Sequence, residues 1–265
     1  MPETIHVVAG VLADGKGRYL LSSRPMDKAY AGYWEFAGGK VEPGETEIEA
    51  LKREFAEELD IEIRYAVPWL AKVHLYEHAK VHLRFFRVPS DGWFGTIRPR
   101  EGQQWAWQQP GRYTVSPMLP GNISLLTALA VPNRLSGSLK TGFSGLDDNG
   151  SEYRLLPYDL AGNVRDECVF LDFAALQRLG RRPENAAVWA VVENTAQFVQ
   201  VQDCNGVIWQ IADRHSAEAL SALLAQGVSL PVAAYAPRDC LRHYVQSWLD
   251  LGLHVQIENR EYEMV

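Results

Sequence analysis

Three glutamates, Glu54, Glu57 and Glu58, fall at positions i, i+3 and i+4, with Arg53 beside them and Glu45 a little upstream. On a helix these three carboxylates share one face, a single turn apart. Like charges at that spacing repel, each pair costing about 0.2–0.5 kcal/mol on an exposed helix. A fold retains such a cluster most readily when a hard divalent cation sits among the oxygens, as Mg²⁺ does when it also holds substrate phosphates. The plainer alternative is a surface helix with a solvated run of charge.

The residues between the acids say why a helix should form. Ile48, Leu51, Phe55 and Leu59 recur at helical spacing and make a stripe to bury. Thr46 followed by Glu49 reads as a capping box that starts the helix. Upstream, the segment Tyr33–Phe36 leads into Gly38 and Gly39, and the helix follows.

The order Gly39, five residues, Glu45, seven residues, then Arg53-Glu54-Phe55-Ala56-Glu57-Glu58 resembles the Nudix box. The match departs once, where Asp60 stands in place of the usual glycine. Asp tolerates a left-handed backbone better than most residues, so the turn is expected to survive. The resemblance covers about residues 4–132 and implies an α/β/α sandwich around a mixed sheet. It implies hydrolysis of a nucleoside diphosphate linked to another group, with Mg²⁺ or Mn²⁺ as cofactor. Glu54, Glu57 and Glu58 are then the metal ligands, aided by the Gly39 carbonyl. Arg53 orients the carboxylates and Glu45 pairs with the box. The general base is Glu54 or an acid outside the box.

The phrase WEFAGGKVEPGE closely resembles the MutT type, nucleoside triphosphate hydrolases that cleanse oxidised nucleotides. That likeness points to Arg24 near the phosphates and base, to Glu101 as an acid that helps with metal or water, and to Asn122 as a reader of the purine edge. Phe36 and Lys40 complete the expected substrate contacts. The implied reaction releases NMP and pyrophosphate, with an oxidised purine such as 8-oxo-dGTP as leading substrate and a role in DNA repair. A pyrimidine triphosphate such as CTP or dCTP is the close alternative. From another class comes a nucleotide sensor that signals through the second half. Local readings compete: Arg24 pairing with Asp27, Asn122 capping a helix, and Phe36, Phe85 and the tryptophans as core. His74, His78 and His82 are spaced by four but fall on a strand hairpin, so they need not share a face.

Around the box, HVVAGVLA and RYLLSSRP read as a hairpin at Asp14-Gly15. YAVPWLAKVHLY and KVHLRFFRV follow as two further strands, Gln104–Gln108 as another, and Ile123–Ala130 as a closing helix. Residues 133–153 are rich in Gly, Ser, Asn and Asp and read as a linker between a domain at 1–132 and another at 154–265. The second half alternates strands and helices, which suggests a small α/β domain. There FVQVQD and VIWQIAD read as strands joined by a hairpin at Asn205-Gly206, and Asp213 or Ser216 as a helix cap. VSPMLPGN resembles the junction at which some MutT-like domains meet a thiamine phosphate synthase-like barrel. About 130 residues fall short of a typical barrel of ~250, so the half stays unassigned, free to cover the site, dimerise or bind a regulator.

Charge is uneven along the chain. Residues 1–135 carry 16 basic and 16 acidic groups, and residues 136–265 carry 10 and 17. An acidic half without a basic stripe does not suit a nucleic-acid backbone. No window approaches 18 uncharged apolar residues, so no membrane span is expected. The N-terminus lacks a basic n-region, and three scattered cysteines suit a reducing cytoplasm.

Overall fold

The computed structural model describes residues 3–75, 79–100, 102–161, 164–165 and 168–261, in two compact units, 1–126 and 127–265. The first unit opens with β1 (Glu3–Leu12), β2 (Tyr19–Ser23), β3 (Trp34–Glu35) and β4 (Gly38–Lys40). Helix α1 (Glu47–Leu59) follows, then β5 (Ile61–Ile63), β6 (Val67–Leu75), β7 (Ala79–Val88), β8 (Trp93–Gly95), β9 (Trp105–Gln108) and α2 (Pro120–Leu129). A mixed sheet runs in the order β4-β1-β7-β6, with β1 parallel to β7 and antiparallel to β4. A second sheet has the order β3-β2-β9, and β5 pairs with β8.

Asp14-Gly15 does make a turn, with Asp14 N–H donating to the Arg18 carbonyl at 3.1 Å. The expected hairpin does not follow. Both edges of β1 are already taken by β4 and β7, so β2 peels away into the second sheet after one bridge, Ala13 to Tyr19.

Helix α1 forms as its sequence dictates. Thr46 and Glu49 make the reciprocal capping box. Leu51, Phe55 and Leu59 are fully buried. Gly10 on β1 is what lets the helix approach, since a Cβ there would lie 2.5 Å from the Phe55 ring. At the far end Asp60 adopts the left-handed conformation, φ 60° and ψ 34°, and its N–H closes on the Ala56 carbonyl. Its carboxylate also receives the Arg100 guanidinium. The turn that glycine would make is therefore made by an aspartate held from outside.

The second unit is a closed eight-stranded barrel, which corrects the expectation from length. Its strands are β10 (Arg134–Ser138), β11 (Gly142–Leu146), β12 (Glu152–Pro157), β13 (Cys168–Asp172), β14 (Ala187–Val192), β15 (Gly206–Gln210), β16 (Val232–Ala236) and β17 (Val255–Asn259). Between them lie α3 (Tyr158–Ala161), α4 (Phe173–Leu179), α5 (Thr195–Gln200), α6 (Arg214–Gln226) and α7 (Arg238–Asp250). Every neighbouring pair is parallel except those of β11, and β17 returns to pair with β10. The barrel is short because turns replace helices between β10, β11 and β12. Residues 133–153, expected as a linker, supply β10, β11 and the start of β12. Their glycines serve the pairing: a Cβ on Gly137 would meet the Gly142 carbonyl oxygen at 2.1 Å.

Side chains fill the barrel. Phe143 stacks on Phe170 at 4.9 Å between centroids, and Trp189, Tyr235 and Ile257 join them. Along β14, Ala187, Trp189 and Val191 belong to that core, whereas the equally buried Val188, Ala190 and Val192 do not. Burial of every residue along a strand is the mark of a parallel sheet covered on both sides. FVQVQD is not a strand: Asn194 accepts from the Gln197 N–H at 3.0 Å and caps α5, making β14-α5-β15 a crossover instead of a hairpin. Asp213 caps α6 and accepts from the Ser216 N–H at 2.8 Å, as expected.

Candidate functional site

β4 delivers Gly38, Gly39 and Lys40 to the face of α1 that carries the acids. At Gly39 an added Cβ would meet Glu54 Oε1 at 2.1 Å, so only glycine lets the carboxylate lie against this backbone. Gly38 takes φ 151°, and its N–H donates to Glu58 Oε2 at 3.3 Å. The pairing of Val8 with Gly39 fixes that stretch in the mixed sheet.

Arg53 ties the cluster together. It holds Glu45 through two nitrogens, Nε at 3.2 Å and Nη2 at 2.7 Å. Nη1 donates to Glu54 at 2.9 Å and to Glu57 at 3.2 Å, and Nη2 also reaches the Lys40 carbonyl at 2.9 Å. One planar cation thus fixes three carboxylates and the strand end. A lysine, as a point charge, lacks the fork to do so. The guanidinium holds the Glu45 carboxyl below its usual range. Glu54 goes the other way: burial raises it, Arg53 pulls against that, and the neighbouring Glu57 adds to the rise. Glu58 is 9% exposed and Glu57 projects into solvent.

The donor set suits a hard cation. Carboxylate oxygens of Glu54 and Glu58 meet the backbone of Gly38 and Gly39 in a cradle that a Cβ would fill. Such all-oxygen surroundings fit Mg²⁺ or Mn²⁺ and no soft metal.

The other expected residues are placed unequally. Arg24 does not turn to Asp27. It forms a charged pair with Glu35, at 2.6 and 2.7 Å, and donates to the Ala29 carbonyl. Burial pushes the Glu35 carboxyl up even against this guanidinium. Asn122 is 5% exposed and lies two residues inside α2, which begins at Pro120, so it is not the residue preceding the helix. The strand-like run before α2 is pinned to β3, with Trp34 N–H bonded to the Pro117 carbonyl and Leu119 N–H to that of Trp34. Phe36 is 3% exposed and meets Phe85 edge-on at 6.4 Å, so it supports the site from the core. Lys40 is exposed. Glu101 and His78 lie outside the described residues. His74 and His82 sit on β6 and β7, where the register pairs Val73 with His82 and so sets the two histidines one step apart.

Two contributors escaped the sequence reading. Glu35 answers Arg24, which the antiparallel register of β2 and β3 explains. The signal was an acid between Trp34 and Phe36 on a strand beside a basic residue. Gln103, 6% exposed, donates to the Glu58 carbonyl at 3.0 Å and anchors the last turn of α1. Its polar burial has no sequence signature.

A family model described as NUDIX domain matches residues 4–129. A CTP pyrophosphohydrolase of Escherichia coli K12 is 38% identical over 124 residues, covering 47% of this chain and 90% of that protein. An 8-oxo-dGTP diphosphatase of Haemophilus influenzae is 33% identical over 125 residues, again covering 47% and 90%. Among solved structures, that of the E. coli ORF135 protein aligns at 36% identity and a TM-score of 0.41, covering 48% of this chain and 88% of that chain.

Proposed function

The chain belongs to the Nudix family, and we propose that its first half hydrolyses a nucleoside triphosphate to NMP and pyrophosphate with Mg²⁺ or Mn²⁺. The observation that carries this reading is the Arg53-bound carboxylate cluster laid over the Gly39 backbone. When bound there, the cation neutralises phosphate charge and lowers the pKa of a water. Glu54, Glu57, Glu58 and the Gly39 carbonyl would hold it. Arg53 keeps the carboxylates in place, so no reorganisation is needed when charge develops. Glu54 or Glu101 would take the proton from the attacking water.

Substrate selection falls to Arg24, Lys40 and Asn122. The Glu35 pair fixes the Arg24 guanidinium, and Lys40 offers an exposed cation to phosphate. The Asn122 amide both donates and accepts, which suits the edge of an oxidised purine such as 8-oxo-dGTP. The CTP pyrophosphohydrolase likeness favours a second reading, in which a pyrimidine triphosphate is the substrate. Such an enzyme would act in the cytoplasm. Among the described residues no helix is long and apolar enough to cross a membrane.

The test is pyrophosphate and phosphate release with Mg²⁺ over 8-oxo-dGTP, dGTP, CTP and dCTP. Pyrophosphate from one preferred triphosphate is expected. Folded protein that binds nucleotide without turnover would overturn the reading in favour of a sensor. Asn122→Ala then separates the bases: loss on 8-oxo-dGTP alone supports the purine reader, and equal loss on CTP removes it.

A further inference from the structure

Outside the carboxylate cluster, one group of side chains among the described residues brings together nitrogen and oxygen donors. We propose that His6, Glu47 and His82 form a second metal site, for a borderline transition-metal cation of the Zn²⁺ type.

The fold supplies the three donors from three elements. His6 on β1 and His82 on β7 are direct partners in the parallel register. Side chains at paired positions leave the same face of a sheet, and their rings lie 5.2 Å apart at 56°. Glu47 is the first residue of α1, immediately after the Thr46 cap, so the capping box fixes where its carboxylate begins. One ligand atom from each residue falls within 4.8 Å of the other two. Bonds of the length Zn²⁺ makes to nitrogen and oxygen set tetrahedral donors about 3.4 Å apart. Closing the difference takes small side-chain rotations, and His6 is exposed and free to make them.

A second observation points to a missing partner. His82 Nδ1 is buried and has no hydrogen-bond partner among the described residues. A buried polar atom left unpaired is costly, and a metal bond would satisfy it. Arg84, two residues along the same strand, has its Nε 3.8 Å from Glu47 Oε2. That is too long for a hydrogen bond, and it places a cation beside the carboxylate. The site must therefore gain more from two imidazoles than it loses to this charge.

The ligand types distinguish this site from the glutamate cluster. Imidazole favours Zn²⁺, Ni²⁺ and Cu²⁺, whereas an all-oxygen set favours Mg²⁺ and Mn²⁺. Glu47 and Glu54 are seven residues apart, about 10 Å along a helix axis, so two ions would not share a ligand. With three protein donors, the fourth position is left to water. Such an ion would fasten β1 and β7 to the start of α1.

The experiment uses the full chain, stripped with chelator and kept in saturating Mg²⁺ so that the oxygen site is occupied. It is titrated with Zn²⁺ by calorimetry. One tight Zn²⁺ per chain is expected, weakened by more than ~10-fold in His6→Ala, Glu47→Gln and His82→Gln. The rise in melting temperature on adding Zn²⁺ should vanish with it. Cu²⁺ in place of Zn²⁺ should show nitrogen hyperfine splitting by electron paramagnetic resonance. Should His82→Gln fail to fold, the exposed His6→Ala decides alone. Equal Zn²⁺ affinity in wild type and His6→Ala would overturn the proposal, as would a Cu²⁺ spectrum with oxygen donors only.

Discussion

Acidic side chains gather in both halves of the chain and meet different partners. In the first half Glu45, Glu54 and Glu57 converge on Arg53, and Glu54 rests on the Gly39 backbone. In the second, the carboxyl ends of the barrel strands surround a cavity of about 440 Å³ whose lining includes Asp159, Asp172, Glu193 and Gln197, with no arginine or lysine among the described residues. There the acids spread out. Asp172 takes the Ala175 N–H and starts α4, and further along Asp213 starts α6. Where a guanidinium and bare backbone hold several together, the same functional group forms a cluster of oxygen donors that suits a hard cation. Where each one faces the N-terminus of its own helix, it is a cap. What decides is the donors a carboxylate meets, more than the number of acids nearby.

The contrast predicts how the two sets respond to substitution. The largest effect is on the scaffold of the first. Phe55→Ala removes the ring packed on Gly10 and should cost about 3–5 kcal/mol in denaturant unfolding. A cost below ~1 kcal/mol would mean that α1 is not seated as described. Glu57→Gln, at an exposed position, should leave the fold intact and lower kcat by roughly 10²–10³-fold. Asp172→Asn should leave kcat unchanged. A matching fall in both would erase the distinction between the clustered acids and the capping ones.

Arg53→Lys keeps the charge and loses the fork, so kcat/KM should fall about 10–100-fold. Asp213→Ala should cost about 1 kcal/mol of stability, the worth of a cap, with hydrolysis unaltered. The smallest effect is in the pH dependence without metal. Burial raises the Glu54 carboxyl, so its charge opposes folding above the ordinary carboxylate pKa of about 4.3. As pH falls through the folded-state value toward that figure, wild type should recover stability that Glu54→Gln never lacked. Glu45 and Glu49 are lowered by their hydrogen bonds and act with the opposite sign. Their stabilisation is present near neutral pH and is lost on acidification below the ordinary value. Melting curves of wild type and Glu54→Gln across pH 3–7 (about the range of carboxylate titration) separate the two.

The first half could be read because its signals are local. The spacing of Leu51, Phe55 and Leu59, the Thr46-Glu49 box and the glycines before α1 each act within a few residues. What the sequence hid there depends on register between distant segments: Glu35 under Arg24, and Gln103 under the end of α1. The second half misled for a different reason. Gly137, Gly142 and Gly145 serve close strand pairing, and composition alone does not tell that from a loop. Phe198-Val199-Gln200 alternates like a strand, yet the Asn194 cap makes it helical. The length argument against a barrel took the typical size, which includes a helix after each strand, whereas two of the connections here are turns.

The reversed strand β11 also shapes the order of assembly. The meander of β10, β11 and β12 pairs residues close in sequence, such as Ser138 with Gly142, and such contacts form early. Joining β10 to β17 brings Arg134 beside Gln256, across nearly the whole unit, and bears the largest loss of chain freedom. Until that seam closes, β10 and β17 each present an unpaired edge, the kind that other chains can add to. The seam is therefore expected to close last, and a slowed or truncated barrel to aggregate from it.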